Sequence, residues 1–275
     1  MDAAPLSALI MMKRNVSDIH LIRTGPRSNP PVILVHPVGL DLTYWGAQID
    51  ALRGAFDVIA YDLPGNGSTP GTAQDWSIDA AAEVLAQVAA DSESERVSVV
   101  GISIGGMIAQ AFALAHPEAL QSMVLIGTAA SFSEEQRGFA RNRATVARRD
   151  GLSSIIPPTL ERWFTAETRM RRPDIIDRVT TSLSADDPLI YAAMWEMIAE
   201  LHLAPRLGEI MCPTLIMTGD RDPICPPDIA GALHAGIPHS QLTIVPGAAH
   251  MCILEQPGFI NERLVAFLES AGRSS

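Results

Sequence analysis

Val97-Ser98-Val99-Val100-Gly101-Ile102-Ser103-Ile104-Gly105-Gly106-Met107 is the stretch whose reading decides the fold. An apolar, β-branched run ends at Gly101, and a small-residue run compatible with a helix begins just after Ser103. Between them lies G-x-S-x-G, spelled by Gly101, Ser103 and Gly105. Strand, abrupt turn, helix is the setting of a nucleophile elbow. Glycines remove Cβ atoms where strand and helix backbones converge on the turn. The serine hydroxyl is then expected to stand clear of the sheet's carboxyl edge, above a helix N-terminus with free N–H groups. Alone, the pattern also describes an ordinary glycine-rich turn, so its meaning depends on what surrounds it.

Upstream, Val32–Val35 and Phe56–Tyr61 are further apolar runs, and Met123–Ile126 follows downstream. Such continuous runs suit strands buried on both faces of a parallel sheet. Helical patterns at Thr43–Leu52, Ser77–Ala90 and Ile104–Ala115 alternate with them. Strand and helix in alternation predict a doubly wound α/β sheet with its chemistry on loops at the strands' carboxyl ends. At the N-terminal end, Leu6–Arg14 and Asp18–Arg23 read as two arms of a hairpin. Sheet pattern resumes at Pro213–Thr218 and Gln241–Val245, with helices expected at Pro227–Ala235 and Pro257–Ala271.

Between residues 131 and 207 no strand-like run occurs, and helices are expected at Glu134–Arg149, Ser153–Phe164, Asp174–Leu183 and Pro188–Leu201. This segment reads as a helical cap inserted after the sixth predicted strand, with residues 1–130 and 208–275 forming the α/β core. Trp163 and Trp195 lie in it, beside Met194 and Met197. A cap's own core would use such residues, and a lid needs some of them facing down onto a ligand. Trp45, Met107, Trp163 and Trp195 are the candidate substrate contacts. Ser131–Arg178 carries ten arginines against seven acids, whereas the whole chain has net charge −11. Most of these arginines should be solvated, while one or two could clamp an anionic substrate.

A serine hydroxyl needs a base within hydrogen-bond reach, and the base needs an acid to fix its tautomer. His250 follows the last predicted strand in Gly247-Ala248-Ala249-His250, and Asp222 follows the preceding one in Gly219-Asp220-Arg221-Asp222. The order serine, acid, histidine suits a sheet of this type. Asp220 is the rival acid. Two N–H donors should face the oxyanion, one from Ile104 directly after the serine and one from the loop His36-Pro37-Val38-Gly39. Pro37 has no N–H, which leaves Val38.

Together these residues resemble the α/β-hydrolase superfamily over nearly the whole chain. The loop at His36–Gly39 is similar to its His-Gly oxyanion loop, with Pro37 in place of the usual glycine. Asp62-Leu63-Pro64-Gly65-Asn66-Gly67-Ser68 resembles its D-x-x-G-x-G-x-S loop, with Asn66 where histidine is common. The G-x-x-D resemblance at Gly219–Asp222 favours Asp222 over Asp220. Within the superfamily, Gly101–Gln110 and Glu161-Arg162-Trp163-Phe164-Thr165 resemble 3-oxoadipate enol-lactonase-like hydrolases. That resemblance implies opening of a small anionic lactone by Ser103, Asp222 and His250 without a cofactor or metal. Other bonds stay open on the same residues: a general carboxylic ester, a carbon–carbon bond, or perhydrolysis. A ligand-binding receptor on this fold is the non-enzymatic alternative. Serine at 103 argues against relatives that use aspartate there.

The composition narrows the partners. A net charge of −11 argues against nucleic acid. No run approaches the length of a membrane helix, and the N-terminal stretch lacks the basic region of a signal peptide. Three cysteines, Cys212, Cys225 and Cys252, at no metal-ligand spacing suggest reduced thiols and a cytoplasmic setting. A small-molecule ester or lactone is the expected partner, and oligomeric state is not readable.

Overall fold

Residues 16–272 are described in the computed structural model of the chain. Seven strands form one sheet: β1 (Leu21–Thr24), β2 (Pro31–Val35), β3 (Asp57–Tyr61), β4 (Val97–Ile102), β5 (Leu120–Ile126), β6 (Thr214–Gly219) and β7 (Ser240–Val245). Their spatial order is β1-β3-β2-β4-β5-β6-β7. All neighbours run parallel except β1, which pairs antiparallel with β3, Leu21 opposite Tyr61. Every residue of β2, β3, β4 and β6 is buried. Their unbroken apolar character follows from having both faces covered. The edge strand β7 is half-exposed, as an outermost strand must be.

The helices of the sheet layer are α1 (Gly46–Leu52), α2 (Ile78–Asp91), α3 (Ile104–Ala115), α9 (Pro227–Gly236), α10 (Cys252–Glu255) and α11 (Pro257–Gly272). Helix α2 packs on α3, and α1 on α11. The Ser77 hydroxyl accepts from the Ala80 N–H and starts α2. Between β5 and β6 run α4 (Glu134–Asp150), α5 (Ile156–Trp163), α6 (Ala166–Arg171), α7 (Pro173–Ala185) and α8 (Pro188–Glu200). Helices α4 and α8 form the main contact of this group. Among the described residues, no helix is long and apolar enough to cross a membrane.

Several sequence expectations shift. The predicted helix Thr43–Leu52 divides into a 3₁₀ turn, Leu42–Trp45, and α1. The Asp41 carboxylate caps that turn by accepting from the Thr43 N–H. The hairpin arm Leu6–Arg14 lies outside the described residues. The arm Asp18–Arg23 is shorter than expected, because Val16–Asp18 takes a 3₁₀ turn and the strand begins at Leu21. Helix α6 was not expected, since six residues with no buried side chain leave no apolar periodicity to read.

The sheet creates one crevice. After β2 the chain proceeds to β3 on one side, and after β4 to β5 on the other. The loops leaving the adjacent strands β2 and β4 therefore diverge, which is where doubly wound sheets bind ligands. Ser103 sits at that point with φ +54° and ψ −119°. Among the described non-glycine residues, only Glu93 shares a positive φ. A Cβ on Gly105 would lie 2.2 Å from the Val35 carbonyl oxygen, and one on Gly101 would lie 2.3 Å from the Gly105 carbonyl oxygen. Backbone atoms cannot swing aside as side chains do. Gly105→Ala is therefore expected to cost at least about 1–3 kcal/mol, the range for forced overpacking. Thermal denaturation should show a Tm lower by several degrees, and an unchanged Tm would contradict the packing at the elbow.

Candidate active site

Ser103 is held in its strained conformation by four backbone bonds. Its N–H donates to the Ile126 carbonyl at the end of β5 (2.9 Å). Its own carbonyl accepts from the N–H groups of Gly106 (3.0 Å) and Met107 (3.2 Å) and from the Thr128 hydroxyl (2.7 Å). Such strain persists only where the surroundings over-determine it, and it concentrates at functional sites. Ile104 opens α3, so its N–H has no acceptor within the helix.

His250 and Asp222 come from the loops after β7 and β6. The His250 Nδ1 lies 2.8 Å from the Asp222 Oδ2, and both side chains are almost fully buried. The other oxygen, Oδ1, accepts from the N–H groups of Ile224 (2.8 Å) and Cys225 (3.0 Å). Burial opposes ionisation of Asp222. The His250 charge, the His250 hydrogen bond and the two N–H donors together outweigh it and hold the carboxyl below its ordinary value. A carboxylate accepts and does not donate, so the proton is assigned to Nδ1 and Nε2 is left as a proton acceptor. Asp220, the rival acid, accepts from the Ala248 N–H instead (3.2 Å). It ties the acid loop to the histidine loop, as does the Arg221 N–H donating to the Ala248 carbonyl (3.0 Å).

Ser103 and His250 line a cavity of about 230 Å³. Val38, Met107, Trp163 and Trp195 line it too. Trp45 does not. It closes the 3₁₀ turn before α1 and is fully buried in the core, so the tryptophan expected as a substrate contact is a packing residue. Sequence reasoning did not single out Phe139 and Arg162, which also line the cavity. Arg162 belongs to the quoted Glu161–Thr165 stretch, where attention to charge rather than aromatic residues would have found it. Cys225 lines the cavity, whereas Cys252 is buried without lining it. Burial pushes the Cys225 thiol well up, so it stays protonated and is a poor nucleophile beside the serine.

Two loops that carry no reacting atom set the cavity's near wall. His36 is fully buried, and burial keeps its ring neutral. Its Nδ1–H donates to the Pro37 carbonyl (2.8 Å), and its Nε2 accepts from the Leu63 N–H (2.8 Å). Asp62 accepts from the N–H groups of Leu42 (2.8 Å) and Ser68 (2.8 Å) and meets the His20 Nδ1 at 2.6 Å. Val38 lies in the loop that begins at His36, which the His36–Leu63 bond ties to the Asp62–Ser68 loop.

With this geometry in place, the comparisons with known proteins can be stated. Residues 30–257 match the model of the alpha/beta hydrolase fold family, and the chain belongs to that family. Its relatives include enzymes named as hydrolases. The 3-oxoadipate enol-lactonase 2 of Acinetobacter baylyi is 28% identical over 245 residues, covering 89% of this chain and 91% of that one. A thermophilic esterase from Thermogutta terrifontis superposes with a TM-score of 0.86 at 30% identity, covering 92% and 93% of the two chains. The enol-lactonase of Burkholderia xenovorans superposes with a TM-score of 0.85 at 26% identity, covering 91% and 96%.

Asp186, between α7 and α8, offers a test of the electrostatics beside the His36–Gly39 loop. A Cβ on Gly39 would lie 3.3 Å from its Oδ2, an oxygen that is buried without a hydrogen-bond partner. Burial, then the nearby charges of Asp187 and Asp41, push its carboxyl up to about 7. A carboxyl raised on folding binds more protons in the folded state, so stability falls as pH rises from the ordinary carboxylate range to about 7 and then levels. Asp186→Asn should remove that slope. Its Tm advantage over the parent should be small at pH 4, grow towards pH 7 and stay constant above. A pH-independent difference would contradict the buried, unpaired carboxyl.

Proposed function

We propose that the chain is a serine hydrolase that cleaves an ester or lactone bond of a small anionic substrate through an acyl-enzyme on Ser103. The observation that carries this reading is the meeting of the strained Ser103 and the His250–Asp222 pair at one cavity. His250 Nε2 takes the Ser103 proton as Oγ bonds to the substrate carbonyl carbon. The Val38 and Ile104 N–H groups hold the resulting oxyanion. The carbonyl re-forms, the carbon–oxygen bond to the leaving group breaks, and His250 gives its proton to the departing oxygen. Water, deprotonated by His250, then attacks the acyl carbon, and Ser103 leaves with the proton returned. Asp222 orients the ring and stabilises its charged form throughout. Residues 131–207 act as a cap on a core of residues 1–130 and 208–275. Phe139, Arg162, Trp163 and Trp195 supply the cap side of the cavity.

The anionic preference rests on Arg162. Its guanidinium stacks over Phe139 at 4.5 Å from the ring centroid. Among the described residues it makes no ion pair, whereas Arg141, Arg148, Arg149, Arg171 and Arg172 are each within reach of a carboxylate. Burial and the like charge of Arg143 press its pKa down. A carboxylate on the substrate would relieve both. A cavity of about 230 Å³ limits the part of the substrate held beside Ser103 to a small group.

Proton release should be followed with an anionic enol-lactone, a neutral lactone and a short aryl ester. Ser103→Ala should abolish turnover, and Asp222→Asn should lower kcat by about 10⁴-fold. Turnover surviving in Ser103→Ala would overturn the mechanism. Arg162→Gln should raise KM for the anionic lactone by about tenfold while affecting the neutral one less. Added salt should weaken the anionic substrate selectively. Equal effects on both substrates would remove the anionic preference but leave the hydrolase reading intact.

A further inference from the structure

A second cavity of about 310 Å³ lies outside the acid loop and shares Arg162 and Pro223 with the first. Arg162, Arg169 and Arg221 line it. Pro223 and Arg221 flank Asp222 in the chain, so this cavity backs directly onto the loop that holds the proposed catalytic acid.

Two of these arginines are weakly partnered. The Arg169 Nε is buried without a hydrogen-bond partner. Its nearest carboxylate is that of Glu161 at 4.0 Å, on a side chain 67% exposed to water. Arg221 is exposed and makes no ion pair among the described residues. Glu255 lies behind the cavity, but its oxygens are already engaged. Oε1 accepts from the N–H and hydroxyl of Thr165 (2.8 and 2.9 Å), and Oε2 accepts from the Ala249 N–H (2.6 Å). Glu255 keeps its charge, since only neutral donors hold its oxygens, so what stays open in this space is the Arg169 Nε and the unpaired Arg221 guanidinium. A planar guanidinium with open N–H donors suits carboxylate and phosphate oxygens.

We propose that Arg169 and Arg221 form an outer anion subsite, which takes a carboxylate or phosphate at the far end of an extended ester substrate. The inference rests on the hydrolase reading and extends it. Arg162 and Pro223 stand in the wall common to both cavities, and the proposal requires a substrate to pass beside them, one end at Ser103 and the other between Arg169 and Arg221. The preferred substrates are therefore esters whose acyl or alcohol part ends in a second charged group.

The test uses three aryl esters of equal length, ending in a carboxylate, a phosphate or an uncharged amide, with the intact protein and with Arg169→Gln/Arg221→Gln. The intact protein should favour a charged ester over the amide by about tenfold in kcat/KM, expressed in KM. The double variant should lose most of that ratio, and whichever charged ester loses more names the group. A ratio unchanged in the double variant, or no charge preference in the intact protein, overturns the subsite. Turnover that survives Ser103→Ala would instead defeat the hydrolase reading. Calorimetric titration with inorganic phosphate addresses the subsite without turnover. Binding weakened about tenfold in the double variant supports it, and equal binding overturns it.

Discussion

Everything at the candidate site depends on the forced turn at Ser103. A residue at φ +54° is unfavourable for any side chain, and here two opposing constraints impose it. The bond from the Ser103 N–H to Ile126 belongs to β5, while two of the three bonds to its carbonyl belong to the first turn of α3 and the third comes from Thr128 after β5. Strand registry and helix initiation therefore both act through one residue. Gly101 and Gly105 let them meet, since the strand and helix backbones approach within distances that no Cβ would permit. The same crowding presses α3 onto the end of β2, which brings the loop carrying Val38 beside the helix N-terminus. The proposed oxyanion donors are neighbours because the elbow is tight.

The histidine and its acid depend on a different device. Their loops follow adjacent parallel strands in register, Gly219 beside Val245. Adjacent strand ends deliver both side chains to the same edge, and Asp220 then bridges the loops through Ala248. The two aspartates of Gly219–Asp222 have divided the work, one holding the loops together and the other holding the imidazole. The helices between β5 and β6 are tied in at the same place, through the Met251 N–H donating to the Trp163 carbonyl (2.9 Å).

The sheet was largely legible in the sequence because buried parallel strands leave long apolar runs, and G-x-S-x-G lies where strand becomes helix. Ser103, Asp222 and His250 could be singled out because each follows such a run. Trp45 shows where the reading fails. A tryptophan near a predicted site loop looks like a ligand contact, but its direction depends on the backbone. The 3₁₀ turn capped by Asp41 carries it into the core. Phe139 and Arg162 were missed for the converse reason. Both lie on helices between β5 and β6, where side-chain direction follows from how the helices stack, and local periodicity does not encode that. Helix α6 is too short to carry a period at all.

Charge distribution was legible only as a sum. The ten arginines of Ser131–Arg178 give that segment a net positive count, yet pairing removes most of them from consideration. Arg137 serves the carbonyls of Phe132, Ala199 and Leu201. Arg143 is almost buried and spends its donors on the Tyr191 and Thr159 hydroxyls, with its face against Trp195 at 4.7 Å. Neutral hydroxyls satisfy its hydrogen bonds without neutralising its charge. Burying a cation on such terms is costly, and it places a positive field behind Trp195 and Arg162 that surface ion pairs cannot cancel. Glu135 lines the same cavity, so one acid stands there against the charges of Arg143 and Arg162. Under the proposed anionic preference, a negatively charged substrate group would gain from Arg143 without touching it.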